Sequence, residues 1–197
     1  LLREQGYFTG ACRRYFHLDG PAALDPVTQE VFKKYGLQTF AKRLDFYRPD
    51  RGRQTTAAVM NEFFALLPKA KAFFLWIGFN DPHRPLDQNA IPEPHDPQKL
   101  ILPKHFPDTP GVREDFARSY DEIGRLDGEF ATVLGVLEKR GFAESTIVIF
   151  MGDNGGALLH GKGTLYELGC HVPLIVRWPG VVKPGSVSGE LISGEDL

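Results

Sequence analysis

The sequence is short of several features that would narrow its function at once. It has two cysteines, Cys12 and Cys170, and their separation matches no metal-type spacing. That removes a cysteine-based metal module and leaves the redox compartment open. It has no excess of either charge: 23 Lys and Arg stand against 25 Asp and Glu, a net charge of -2. There is thus no electrostatic case for nucleic acid or for an anionic membrane surface as partner. No apolar run approaches a membrane span, and no signal-peptide pattern is present. Repeats and low-complexity tracts are also missing. The first residue is not Met, LLREQG reads as the last turns of a helix, and the chain stops on GEDL without closure, so the expectation is a piece of a longer protein. The 197 residues are enough for one substantial core or for part of a larger one.

What is present alternates helices with apolar strands. Residues 1–5 read as helical, with Gly6 as a stop, and 7–12 as a short strand. Asp25 caps a helix over 25–35, with Pro26 in its first position and Val27, Val31 and Phe32 on one face. A second helix covers 55–67, where Val59, Phe63, Leu66 and Leu67 are apolar. The run AFFLWIGF (72–79) has the pattern of a strand buried on both faces, as have TIVIFM (146–151) and 172–178. The proline-rich segment 80–111 reads as a long ordered loop of the kind that is often functional. Residues 113–139 form the strongest helix, with Phe116, Tyr120, Ile123, Phe130, Leu134 and Leu137 near helical spacing and Gly141 at its end. The pattern predicts an α/β fold, a mixed and largely parallel sheet covered by helices on both faces.

In such sheets reactive groups sit in loops beyond the carboxyl ends of strands. Two loops qualify, NDPHRP (80–85) and GDNGG (152–156). Asp153 and Asn154 offer oxygen ligands suited to Ca²⁺ or Mg²⁺, although two oxygens are too few for Ca²⁺ and the same residues commonly make turns. Lys162 lies among Gly155, Gly156, Gly161 and Gly163, which let backbone approach a ligand. A lysine is usually a solvated surface charge, but an ammonium here would neutralise an anion. His83, beside Arg84, suits an oxyanion, and His17, after Arg13 and Arg14, has the same character. His95, His105, His160 and His171 have no such setting and read as surface or packing residues. Cys12, in ACRRYF, reads as a small core residue rather than a nucleophile.

Taken together, GYFTG…FHLDG, FFLWIGFNDPHRP, SYDEIGRLDGEF, and TIVIFMGDNGG…HGKGTLYE…VPLIVRWPG resemble the sulfatase family of the alkaline phosphatase superfamily, in its order and at its spacing over the whole chain. The segment ILPKHFPDTPGVREDFARSY further resembles sulfatases acting on sulfated sugars, notably N-sulfoglucosamine sulfohydrolase and bacterial relatives. The resemblance implies one Ca²⁺ bound by Asp153 and Asn154, sulfate binding by Lys162 and His83, and proton transfer to the leaving oxygen by His83. It also implies a hydrogen bond from His17 near the nucleophile. Where the family has Gly-Lys-Trp-His, this chain has Arg13-Arg14-Tyr15-Phe16-His17, one residue longer, and Arg14 is the candidate for the missing lysine. Arg84 is a weaker candidate for substrate anions.

The family nucleophile is a formylglycine made from cysteine in a Cys-x-Pro-Ser-Arg type motif, and neither cysteine here has that context. The paired aspartates of the family's Ca²⁺ site are also missing. The resemblance therefore implies residues 1–197 as a partial catalytic domain, with nucleophile and remaining metal ligands expected upstream of Leu1 and export or lysosomal delivery by family habit. Two rivals stand beside a sulfatase: a phosphodiesterase or phosphonate hydrolase of the same superfamily, and a non-catalytic remnant that binds sulfated glycans.

Overall fold

The computed structural model describes residues 1–14, 26–49 and 54–197. Its elements run β1 (Phe8–Arg13), α1 (Pro26–Lys34), α2 (Phe40–Arg43), β2 (Phe46–Pro49), α3 (Thr56–Leu66), β3 (Phe73–Gly78), α4 (Pro110–Lys139), β4 (Val148–Met151), α5 (Glu167–Cys170) and β5 (Leu174–Arg177). Single 3-10 turns lie at Pro97–Lys99 and Gly194–Asp196. The chain divides into two compact units, Leu1–Val136 and Leu137–Leu197.

The first unit is built on a parallel three-stranded sheet in the order β2-β1-β3. Register runs from Phe8 opposite Phe73 to Arg13 opposite Gly78, and from Gly10 opposite Phe46 to Arg13 opposite Pro49. Helix α3 packs on this sheet through Val59, Met60, Phe63 and Phe64, all buried. Its start is fixed by Thr55, whose hydroxyl accepts the Ala58 N–H at 3.2 Å. Phe63 is the centre of the core. Its ring lies 5.2–5.9 Å from those of Phe8, Phe46, Phe64 and Phe73, and it sits directly over Gly10, where a Cβ would approach it to 2.7 Å. Cys12 is wholly buried in β1, as a core residue should be, and burial pushes its thiol up to about 12 against the opposing pull of Arg13.

The second unit carries β4 paired antiparallel with β5, Val148 opposite Arg177 and Met151 opposite Leu174. Gly152 then donates to Pro173 O at 3.0 Å, extending the pairing to where the loop begins. Arg177 reaches back to Ala143 O at 2.5 Å and Glu144 at 3.1 Å.

Several expectations need correction. Residues 1–5 form turns, with Tyr7 N bonding Leu2 O at 3.1 Å, because the segment is too short to nucleate a helix of its own. The three apolar runs do not give strands buried on both faces. Along β3 and β4 half-buried residues alternate with exposed ones, and Phe74, Trp76, Ile149, Met151 and Ile175 are open because no described helix covers that side within either unit. Helix α1 buries no residue, and Val27 and Val31 are exposed. In α4, Ile123 is exposed while Asp121 and Glu122 are buried, so the inward face is displaced from the apolar stripe. The strand β2 and the single-turn helices α2 and α5 were not foreseen, since four residues carry too little periodicity to be seen.

Candidate active site

The carboxyl ends of β1 and β3 bring one group of predicted residues together. Arg14 follows β1, its N–H donating to Gly78 O at 2.8 Å, and its guanidinium bonds the side-chain oxygen of Asn80. Gly78 has to be glycine, since a Cβ there would overlap the Arg14 carbonyl. Arg13 is in the left-handed region at φ 65°, donates to Gln54 O at 3.0 Å and lies over the Phe79 ring. Arg14 is thereby joined to the start of the loop that carries His83. His17 lies outside the described residues.

The loop 80–109 is ordered by α4 along its whole length. Arg113 donates to Pro97 O at 2.9 Å and Leu100 O at 3.1 Å, and holds Asp108 by two nitrogens. Arg84 makes a forked pair with Asp115, and that hydrogen bond raises its pKa despite partial desolvation. Arg84 therefore meets a substrate anion only by sharing Asp115. Asp121 accepts the His95 N–H at 2.8 Å and lies 2.7 Å from His95 Nδ1. Glu122 accepts the N–H groups of His83 at 3.1 Å and Asp87 at 2.7 Å. Arg125 spans Asp81, at 2.6 and 3.1 Å, and Asp87, at 2.7 Å.

His83 is half-buried, between cis peptides at Asp81-Pro82 and Arg84-Pro85. Its Nδ1 lies 2.6 Å from the Arg84 carbonyl oxygen. A carbonyl only accepts, so Nδ1 carries a proton, and Nε2 is the nitrogen left to exchange one. The geometry makes His83 a one-ended acid or base.

The second group follows β4. Asp153 and Asn154 stand in the bend after Met151, Asp153 exposed and Asn154 half-buried. Asn154 spends its amide N–H on Gly155 O at 3.1 Å, which leaves its side-chain oxygen to serve as a ligand. The pair fits a hard cation by donor type and is short of the about six to eight oxygens Ca²⁺ takes. Among the described residues no three His, Cys, Asp or Glu side chains gather as a metal site. Lys162 is exposed, and its N–H donates to Gly156 O at 2.8 Å. The neighbouring glycines have a different reason from the one expected. A Cβ on Gly155 would strike Leu168 O, one on Gly161 would strike Gly156 O, and one on Gly169 would strike Thr164 O. They let this loop pack backbone against its own backbone, which is how residues 152–170 fold without a side-chain core.

The residues that sequence reasoning missed are Asn80, Arg113, Asp115, Asp121, Glu122 and Arg125, which hold the loop. The signal available was two adjacent acids, Asp121 and Glu122, between the apolar positions Ala117 and Leu126 of a helix. Acids on an inward face must meet donors.

The sequence profile of the sulfatase family matches residues 1–197, and the chain belongs to that family. It is 32% identical over 130 residues to an ulvan-active sulfatase of Formosa agariphila, covering 63% of this chain and 21% of that protein. It is 32% identical over 150 residues to the N-sulphoglucosamine sulphohydrolase of Homo sapiens, covering 64% of this chain and 30% of that protein. Among solved structures it resembles the phosphonate monoester hydrolase SpPMH from Silicibacter pomeroyi, with a TM-score of 0.57 at 19% identity over 93% of this chain and 52% of the other. It also resembles Ps i-CgsB, solved in complex with k-i-k-neocarrahexaose, with a TM-score of 0.51 at 20% identity over 91% of this chain and 46% of the other. These likenesses show a shared α/β fold, and the chain spans about half the length of the solved structures it matches.

Proposed function

We propose that the intact protein hydrolyses a sulfate ester or sulfamate of a sulfated sugar. The observation that supports this most directly is the fixed proton of His83 in a chain whose family match runs from end to end. His83 keeps its own proton on Nδ1, so the proton given to the leaving alcohol or amine is the one on Nε2. Lys162 binds a sulfate oxygen and offsets charge that grows in the transition state. Arg14, steadied by Asn80, is the second cation. His17 is assigned a hydrogen bond near the nucleophile. Ca²⁺ bound at Asp153 and Asn154, with further ligands from outside these residues, would supply positive charge against the sulfate oxygens. A formylglycine, expected upstream of Leu1, would supply the attacking oxygen. Cys12 does not fill that role, being buried with its thiol pushed up to about 12.

The test uses the full-length protein with a sulfated oligosaccharide, an aryl sulfate and a phosphonate monoester. The expected result is sulfate release, with Lys162→Ala and His83→Ala each lowering kcat on the sugar substrate by about 100-fold or more. Faster turnover of the phosphonate monoester than of either sulfate would overturn the reading in favour of the hydrolase represented by the Silicibacter pomeroyi fold relative.

A further inference from the structure

The chemistry proposed for His83 leaves unused a carboxylate directly behind it. Glu122 is 1% exposed, in the middle of α4. A carboxylate is expensive to bury, and packing alone would be better served by an apolar residue. Its partners explain its presence. Pro82 and Pro85 have no N–H, so the stretch DPHRPLD cannot form a regular ladder. The N–H groups of His83 and Asp87 are taken by the two oxygens of Glu122, one each, at 3.1 and 2.7 Å. Arg125, 3.7 Å from Glu122, offsets its charge and ties Asp81 and Asp87 at the two ends of the same stretch.

We propose that Glu122 is the positioning residue for His83. By holding the N–H groups of His83 and Asp87 it pins both ends of the segment that carries the Arg84–Pro85 peptide, so that the Arg84 carbonyl stays 2.6 Å from Nδ1 and the imidazole keeps one tautomer and one direction. Loss of that hold frees the peptide to turn, and the proton then moves between Nδ1 and Nε2. The inference rests on the reading of His83 as proton donor, but the hold itself is measurable without any turnover.

The test is Glu122→Gln in the full-length protein. The amide has the same shape, yet it has one acceptor oxygen for two N–H groups and no charge for Arg125. With ¹⁵N-labelled histidine, NMR of the wild type should show His83 as the Nδ1–H tautomer, and of Glu122→Gln as a mixture. On a sugar sulfate kcat should fall about 10- to 100-fold with KM moved less than about 3-fold. On an aryl sulfate, whose leaving group needs little protonation, the fall should be under about 3-fold. Glu122→Gln combined with His83→Ala should be no slower than His83→Ala alone. An unchanged tautomer signal, or equal losses on both substrates, overturns the proposal. A shifted tautomer in a protein that cleaves no sulfate supports the positioning and overturns the function assigned above. Should Glu122→Gln not fold, Glu122→Asp, which keeps the charge beside Arg125 but draws the carboxylate back by one methylene from the two N–H groups, must give the same tautomer mixture, and an unshifted signal there refutes the idea.

Discussion

Removing the ring of Phe63 should loosen the sheet on which Arg14 and the His83 loop are mounted. The side chain is 0% exposed and touches four other phenyl rings at 5.2–5.9 Å. Truncating a buried Phe to Ala costs about 3–5 kcal/mol, a range that already contains the lost edge-to-face contacts. The cavity closes poorly here, because Phe8, Phe46 and Phe73 sit on paired strands whose register leaves their backbones little room to move. The upper part of the range, about 4 kcal/mol, is therefore expected. That is a large share of the ~5–15 kcal/mol of an ordinary domain. Amide hydrogen exchange followed by mass spectrometry reads it locally in the full-length protein. At about 1.4 kcal/mol per tenfold, amides of β1 and β3 should exchange some 100- to 1000-fold faster in Phe63→Ala. The same contact can be tested from its other side. Gly10→Ala drives a methyl to 2.7 Å from Cε2 of the ring, an overpacking cost of about 1–3 kcal/mol. Phe63→Leu should then relieve part of the Gly10→Ala penalty, since the two changes share one contact. Exchange in Phe63→Ala within tenfold of wild type, or strict additivity of the Gly10 and Phe63 changes, would refute this account of the core.

Two further outcomes follow from packing and charge. Gly155→Ala sets a methyl against Leu168 O, so the loop 152–170 should open, with raised exchange at 155–170 and turnover of a sulfate ester reduced about 10-fold or more; normal exchange there would contradict the close approach. Burial pushes the Asp45 carboxyl up, but the Thr9 N–H and hydroxyl, with Arg3 and Lys71, outweigh it and hold the carboxyl below its usual value. Its contribution is thus present above the ordinary carboxylate pKa of about 3.9 and lost as pH falls through the lower folded value. Asp45→Asn should cost about 1–2 kcal/mol in urea unfolding at pH 7 and progressively less towards pH 2. A cost that stays constant from pH 7 to pH 2 would assign it to shape rather than charge.

Much of the fold was legible because each main element is local in cause. The helix over 55–67 shows in its Thr cap and the recurrence of Val59 and Phe63, and the three apolar runs became β3, β4 and β5 with their centres as read. What could not be read was burial on the far side of a strand. AFFLWIGF has no polar residue to mark an open face, so the exposure of Phe74 and Trp76 leaves no trace in the composition. For the site, resemblance supplied candidates and left their supports unnamed. Asp153, Asn154, Lys162 and His83 are recognised from short words of sequence. Arg113, Asp115, Asp121, Glu122 and Arg125 act at separations of 5 to 44 residues, Arg113, Asp121 and Glu122 in part on backbone carbonyl and N–H groups that no residue type announces.

The placement of those supports also says what kind of loop this is. A segment such as 80–109, rich in proline, satisfies only part of its own backbone, and one that stayed open to water would have no single shape for His83 to inherit. Here one helix supplies partners to backbone groups of the loop, carboxylates for the N–H groups of His83, Asp87 and His95 and Arg113 for the carbonyls of Pro97 and Leu100. The division of labour is chemical: proline limits the loop's conformations, and α4 selects one of them. Charged residues on the inward face of α4 are therefore not lapses in its amphipathic pattern. They are the means by which a helix that needs no reactive group of its own sets the direction of an imidazole 39 residues away in sequence.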